Sequence, residues 1–341
     1  MSQYRLQVCD ENAVETRVGA WLANCKPLMD VFTPCLGPDG KWHRNGRDPY
    51  IDFAAKMFCL TYDRIYIDSK SSDEAIAAAA KLLRQTAKPG VLAAIYGQSG
   101  GDWQRGKSKY KDPETGEWVW DRVRGGLWGY AWKMGIEMSQ ETAHMVARMF
   151  RETYAEVPVC WAAFEKAFTE VLDPKHENIT RRVGINDCIA FDRLNIAGRH
   201  PLLRMTLPSG RRQHYMDARM EQTLMPWLDR DGHEVWRPGL KYKSVDQTTG
   251  RWQDNKSYGA KMYQNGVQGI ARDILAEKLL LFEENDLPVV AHVHDEGVTL
   301  VLDDPFSPTV DDMIELMARP VEWAPGLVLG ADGFADSFYH K

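Results

Sequence analysis

Residues 289–301 read VVAHVHDEGVTLV. Apolar side chains alternate on either side of a polar centre, which is the pattern of a β-hairpin. Such a hairpin must bury one face against a core, and it carries two histidines and two carboxylates at its tip. Three chemistries are open to that tip: zinc ligation, mutually satisfied turn groups, or a magnesium site that handles phosphates. These residues alone do not choose among them.

The chain opens on a second strand with an acid at its end. In YRLQVC, Tyr4, Leu6 and Val8 fall on one face and Arg5 and Gln7 on the other, and Asp10 ends the run. ENAVETRVGAWLA continues with helical period, so Asp10 stands at a strand-to-helix junction. Residues 33–49 are rich in Gly, Pro and Asp and read as loop. A helix is expected over YIDFAAKMF, and another over SSDEAIAAAAKLLRQTAK, with Ser71 and Glu74 as a capping box. Residues 97–130 read as an irregular insertion. Two helices follow, then a hairpin at LLRMTLPSGRRQHYM, then mostly loop over 227–257. KMYQNGVQGIARDILAEKLLLFEEN is a long amphipathic helix stopped by Pro288. The hairpin, a short helix and a Trp/Pro/Gly-rich tail close the chain. This order indicates an α+β fold with an antiparallel sheet and a helical insertion, not a βαβ series.

With 341 residues and 44% hydrophobic composition the chain can bury a large core. Its net charge of −6 does not advertise a nucleic-acid partner, so any DNA path must be a local basic stripe. No apolar run approaches a membrane span, and no cysteines are spaced C-x-x-C. A reducing cytoplasm with free thiols is the expectation, with no membrane contact.

Several constellations have bland alternatives. His292 and His294 form a His-x-His pair that shares a strand face, but the other histidines are scattered, and packing in the hairpin explains His292 as well as zinc does. GDWQRGKS, residues 101–108, matches the phosphate-loop pattern, yet neither flank supplies the strand and helix that make the pattern work. Within the insertion, Trp103, Arg105, Lys107, Lys109, Lys111, Trp118, Trp120, Arg122 and Arg124 interleave cations with rings. That suits nucleic acid, and equally a solvated face with local tryptophan core. Arg84, Lys88, Leu92 and Tyr96 recur every four residues, so they could grip a triphosphate and cover a base or simply form a charged stripe. Pro89 should kink this helix or restart it near Lys88. If the strands of Asp10 and Asp295 are neighbours, their carboxylates repel, and a pair of divalent ions about 3.5–4 Å apart relieves the repulsion.

Order, spacing and context together resemble the A-family DNA polymerases, the bacterial DNA polymerase I group, and most closely bacteriophage members. CDENAVETRV resembles the first palm motif through Asp10, Glu15 and Arg17. RQTAKPGVLAAIYG resembles the fingers motif through Arg84, Lys88, Tyr96 and Gly97. TLPSGRR resembles the T-L-x-G-R-R hairpin with one additional residue. QNGVQGIARDIL resembles the palm helix whose Gln, here Gln268, meets template and primer. VHDE resembles the third palm motif through His294, Asp295 and Glu296.

The resemblance implies a right-hand palm, an antiparallel sheet with packed helices, plus a mainly helical fingers subdomain. The palm would comprise 1–60 and 256–341, the fingers 61–255. It implies two Mg²⁺ ions, with Mn²⁺ able to substitute, held by Asp10, Asp295 and the carbonyl of Glu11, with Glu296 as catalytic support. Glu15, Arg84, Lys88, Leu92 and Tyr96 would bind the incoming dNTP, Glu15 excluding a ribose 2′-hydroxyl. Arg17, Gly97, Gln264, Gln268, Arg272 and His294 would contact primer-template DNA. Glu11 stands for a usual Tyr, and Leu92 for a usual aromatic. The family's thumb and 3′–5′ exonuclease precede the first palm motif, so the expectation is that both are missing from this chain. The expectation is therefore the catalytic part of a split or multi-chain phage polymerase in the host cytoplasm. A second chain would supply the thumb, with the exonuclease as a further element it could carry, docking at the sheet edge near Tyr4. Competing expectations are an inactive or architectural DNA-binding subunit and a single-subunit RNA polymerase.

Overall fold

The computed structural model describes residues 4–228, 233–246 and 249–340. Strand β1 (Tyr4–Glu11) turns at once into α1 (Val14–Leu22), with Ala13 making the corner at φ 51°. After α2 (Lys26–Met29) comes a small ribbon of β2 (Cys35–Leu36) and β3 (Trp42–His43). Helix α3 (Pro49–Met57) starts where Pro49 presets the first turn and the Asp48 carboxylate accepts the Tyr50 and Ile51 amides. Then α4 (Tyr62–Ser69) leads to α5 (Glu74–Ala93). A two-stranded ribbon, β4 (Trp103–Lys111) and β5 (Trp118–Arg124), precedes α6 (Gly126–Lys133), α7 (Gln140–Thr153) and α8 (Glu156–Leu172). Six strands follow: β6 (Arg181–Val183), β7 (Ile189–Leu194), β8 (Leu202–Thr206), β9 (Arg212–Leu228), β10 (Glu234–Val245) and β11 (Trp252–Ser257). The chain ends with α9 (Gly259–Glu283), β12 (Val289–Val293), β13 (Glu296–Leu302), α10 (Val310–Ala318) and β14 (Ala331–Asp336).

Strands from the two ends of the chain build one antiparallel sheet in the order β12-β13-β1-β14. Another antiparallel sheet runs β11-β10-β9-β8-β7-β6. Helix α9 lies between two apolar clusters. Ile274 joins the larger, with Trp21, Phe53, Phe150 and Phe164; its neighbour Leu275 joins the smaller, with Cys9, Phe282, Val301 and Met313. A fully buried side chain of this kind contributes roughly 1.5–3 kcal/mol. The α+β class is thus as expected from the element order. No helix among the described residues is long and apolar enough to cross a membrane.

Four expectations are corrected. Residues 227–257 are not mostly loop: β9, β10 and β11 pair there, although 229–232 and 247–248 lie outside the described residues. The tail forms β14, so β1 is an interior strand, and the sheet edge expected near Tyr4 is occupied from Leu6 onward. Helix α5 runs through Pro89 without a break. Its N-cap is Asp73, which accepts the Ala75 and Ile76 amides, while Ser71 Oγ accepts the Asp73 amide. The capping box of this fold is instead at Thr309 and Asp312 on α10. Replacing Asp73 by Ala should cost about 0.5–2 kcal/mol, read as a lower urea midpoint with unchanged slope, and Ser71→Ala should cost less.

Candidate active site

Strand register places the acids. Asp10 lies opposite Glu296 on β13 and opposite Asp332 on β14. One residue on, the Glu11 amide donates to the Asp295 carbonyl at 3.1 Å, which ties the β12–β13 turn to the end of β1. His294 takes φ 54° in that turn. Asp10 and Asp295 therefore open onto one cavity of about 490 Å³, together with Glu11, Glu15, Leu92, Gln268, Arg272 and His294.

Burial, reinforced by crowding of like charge, sets the electrostatics here. Burial, then Asp332, Asp295 and Glu296, lift the Asp10 carboxyl from its ordinary 3.8 to about 6. Burial and Asp295 lift Glu11 from 4.5 to about 8, against the opposing pull of Lys278. Glu11 Oε1 is buried without a hydrogen-bond partner. Lys278, itself buried, donates to the Arg319 carbonyl. A hard cation would relieve the repulsion, and these oxygens suit one. Among the described residues no three His, Cys, Asp or Glu side chains form a ready-made cage. Two carboxylates and a backbone carbonyl fit an ion that keeps positions for phosphate oxygens and water.

Glu15 is held at both oxygens. Tyr96 donates to Oε2 at 3.1 Å and Gln268 to Oε1 at 2.6 Å. Tyr96 is buried, and its hydroxyl is held well above its ordinary range by that burial and then by Glu15. On α5 the cations gather at Tyr50, a cavity-lining residue. Arg84 lies 4.8 Å and Lys88 5.8 Å from the ring centroid, so both face it despite Pro89. Arg84 also pairs with Asp48 at 2.8 Å.

Other expected residues are placed differently. Arg17 is buried and is not among the cavity-lining residues. It is 2% exposed, stacks on Phe32, and donates to the Asn12 carbonyl, Asn12 Oδ1, and the Asn45 and Val328 carbonyls. It holds the α1 corner to the C-terminal segment. Glu296 is buried and accepts from Tyr339 at 2.7 Å, outside the cavity lining. Gln264, half-buried on α9, does not line the cavity either. Gly97 has φ 79°, and a Cβ there would meet the Ala260 Cβ at 2.5 Å, so the position requires glycine for packing on α9. Its carbonyl and that of Gln98 face Arg151. Sequence reading missed Asp332, Tyr50 and Asp48. Asp332 sits between small residues in LGADGF, which hides a strand; the Asp48-Pro49 cap signal was present.

The arrangement is that of an acid-lined cleft between a sheet and a helix. Comparison with known proteins points to one class: a relative named DNA polymerase is 38% identical over 141 residues, 41% of this chain. That relative is from Bacillus phage SP02, and the match spans a fifth of its length. The resemblance to phage-type A-family DNA polymerases is borne out in sequence. The solved POL domain of Pol1 from M. smegmatis, in complex with DNA primer-template and dNTP, aligns over 98% of this chain and 39% of its own, with TM-score 0.47 and 14% identity. No family model matches.

The raised carboxyls give a pH dependence of definite sign. Folded Asp10 and Glu11 hold protons more tightly than the unfolded chain does. Their contribution to stability is present below about pH 4 and is lost as pH rises through about 6 and then about 8. Without divalent ions, the melting temperature should fall between pH 5 and pH 8 (about the window of these shifts). Mg²⁺ should raise it more at the upper end, and Asp10→Asn should flatten both effects in a calorimetric scan.

Proposed function

We propose that this chain carries out template-directed DNA synthesis, transferring a nucleotidyl group from a dNTP to a primer 3′-hydroxyl. One observation carries the reading: residues from distant segments, Asp10, Glu15, Leu92, Gln268, His294 and Asp295, meet in one cavity. Residues 1–60 and 256–341 would act as the palm and 61–255 as the fingers; the sheet shared by β1 and β12–β14 supports that division.

Asp10, Asp295 and the Glu11 carbonyl would hold two Mg²⁺ ions, which when bound activate the 3′-hydroxyl and neutralise the leaving pyrophosphate. The chain's own residues orient and discriminate. Arg84 and Lys88 meet the triphosphate on the face of Tyr50. Leu92 covers the base. Glu15, fixed by Tyr96 and Gln268, fills the space of a 2′-hydroxyl with a carboxylate that cannot move away. His294 and Arg272 are set to reach primer and template backbone. No covalent nucleophile is required, because phosphoryl transfer depends on positioning and charge neutralisation. The reading includes a further element that grips duplex DNA, in a second chain, since a protein of net charge −6 holds DNA weakly. With β1 interior, that element would meet β12 or β14.

Primer extension with Mg²⁺ tests the proposal. Asp295→Ala should lower the rate on the order of 10³-fold or more with folding intact; a fully active variant would leave an architectural role. Gln268→Ala and Tyr96→Phe should each raise ribonucleotide incorporation relative to dNTPs, roughly tenfold for the loss of one hydrogen bond to a charged group. Equal use of both sugars by the wild type would favour an RNA polymerase.

A further inference from the structure

The β4–β5 ribbon is not absorbed by this mechanism, and its two faces differ sharply. Directly opposed residues of an antiparallel pair share a face. Trp103 opposes Arg124, Lys109 opposes Trp120, and Lys111 opposes Trp118. One face thus carries three tryptophans with Lys109, Lys111, Arg122 and Arg124, and the carboxylate at its border is Asp121, which lines a small cavity with Trp103, Tyr110 and Arg122. The reverse face holds Tyr110, Val119, Asp121 and Val123, with Asp121 accepting the Ser108 amide. Asp112 in the turn accepts the Glu114 and Thr115 amides. A face with this many cations contrasts with the acidic net charge of the chain.

The rings and cations alternate as a ladder. Lys109 lies 4.8 Å from the Trp120 ring, Arg122 5.4 Å from Trp103, and Arg124 reaches Trp128 and Trp132 on α6 at 4.8 and 3.8 Å. Large parts of the rings remain open to water: Trp118 is 67% exposed, Trp132 56% and Trp103 45%. Alternate positions on a strand are about 6.6 Å apart, close to the reach of one extended nucleotide.

The ladder follows in the chain on Tyr96, whose hydroxyl donates to the cavity-lining Glu15. The segment after Tyr96 and Gly97 holds the ribbon base through backbone bonds: Leu127 N to Ser99 O at 2.7 Å, Trp128 N to Gly100 O at 2.9 Å, and Gly125 N to Asp102 O at 3.0 Å. Helix α6 packs on α5, the helix of Arg84, Lys88 and Leu92, and on β5.

We propose that the tryptophan–cation face of β4–β5, continued by Trp128 and Trp132, is a binding track for single-stranded nucleic acid leading to the cavity. Cations hold the backbone phosphates and open rings stack on bases, which needs no sequence readout. A purely apolar protein partner would leave the four cations without counter-charge. The inference rests on the polymerase reading only for the identity of the strand, the unpaired template. Single-strand binding itself involves no synthesis.

The test is fluorescence anisotropy in EDTA with a labelled oligothymidylate and a blunt duplex of equal length, using the full chain. Trp118→Ala with Trp120→Ala should weaken single-strand binding roughly tenfold or more, since each stacked base contributes about 1–3 kcal/mol. Duplex affinity should stay within about twofold. Trp118→Phe with Trp120→Phe should restore most of the loss. Lys109→Ala with Lys111→Ala should reduce the salt slope of log K by about 1.4, twice the ~0.7 per single-strand phosphate contact. Wild-type oligothymidylate affinity in the alanine pair, an unchanged slope in the lysine pair, or equal losses on duplex would each overturn the track. Extension failing while oligothymidylate binding persists would remove the polymerase reading and leave the track standing.

Discussion

The register of β1 against β13 governs the site. Sliding a strand pair by one residue turns every side chain over, because successive residues point to opposite faces. Here Val8 opposes Val298 and Cys9 opposes Gly297, where Phe282 and Leu279 crowd the glycine. A shift by one residue would send Cys9 out of the smaller apolar cluster. Core packing therefore fixes where Asp10 stands, and Asp10 fixes what can be bound beside it. The repulsion among Asp10, Asp295, Glu296 and Asp332 is a cost set by that packing.

Helix α9 makes the same link from the other side. Its buried residues join both apolar clusters, while Gln268 and Arg272 project toward the cavity. Tyr263 on this helix donates to the Gly19 carbonyl of α1 at 2.6 Å, and Gln268 donates to Glu15 on the same helix α1. One helix thus sets both the distance of α1 from the core and the aim of its carboxylate.

Much of this was legible locally. Strict alternation gave β1 and the β12–β13 hairpin, and helical period gave α1, α5 and α9, since each element buries one face. That the polar motif residues share one cavity was implied by the family resemblance, whereas their spacing alone left a solvated charged stripe equally open. What stayed hidden was non-local. In β9–β11 charged pairs replace apolar alternation, as between Lys241 and Glu221 or Arg219 and Asp254, and Pro238 with Gly239 reads as a breaker inside β10. Strand β14 is masked by Ala, Gly and Asp, so Asp332 could not be placed opposite Asp10. Arg17 matched a motif position, yet its burial depends on Asn45 and Val328, far along the chain. The ribbon's division into two faces also required its pairing register, which carries an irregularity between Arg105 and Lys109.

Asp48 holds two allegiances. Its carboxylate caps α3 through the Tyr50 and Ile51 amides and at the same time pairs with Arg84. Under the proposed reading, any polyanion arriving at α5 competes with an anion already anchored to a helix end. Asp48 stays put whichever partner the guanidinium takes, because the amides retain it. Binding there is an exchange of one counter-ion for another, so a ligand bearing several negative charges displaces the carboxylate readily and one bearing a single charge does not.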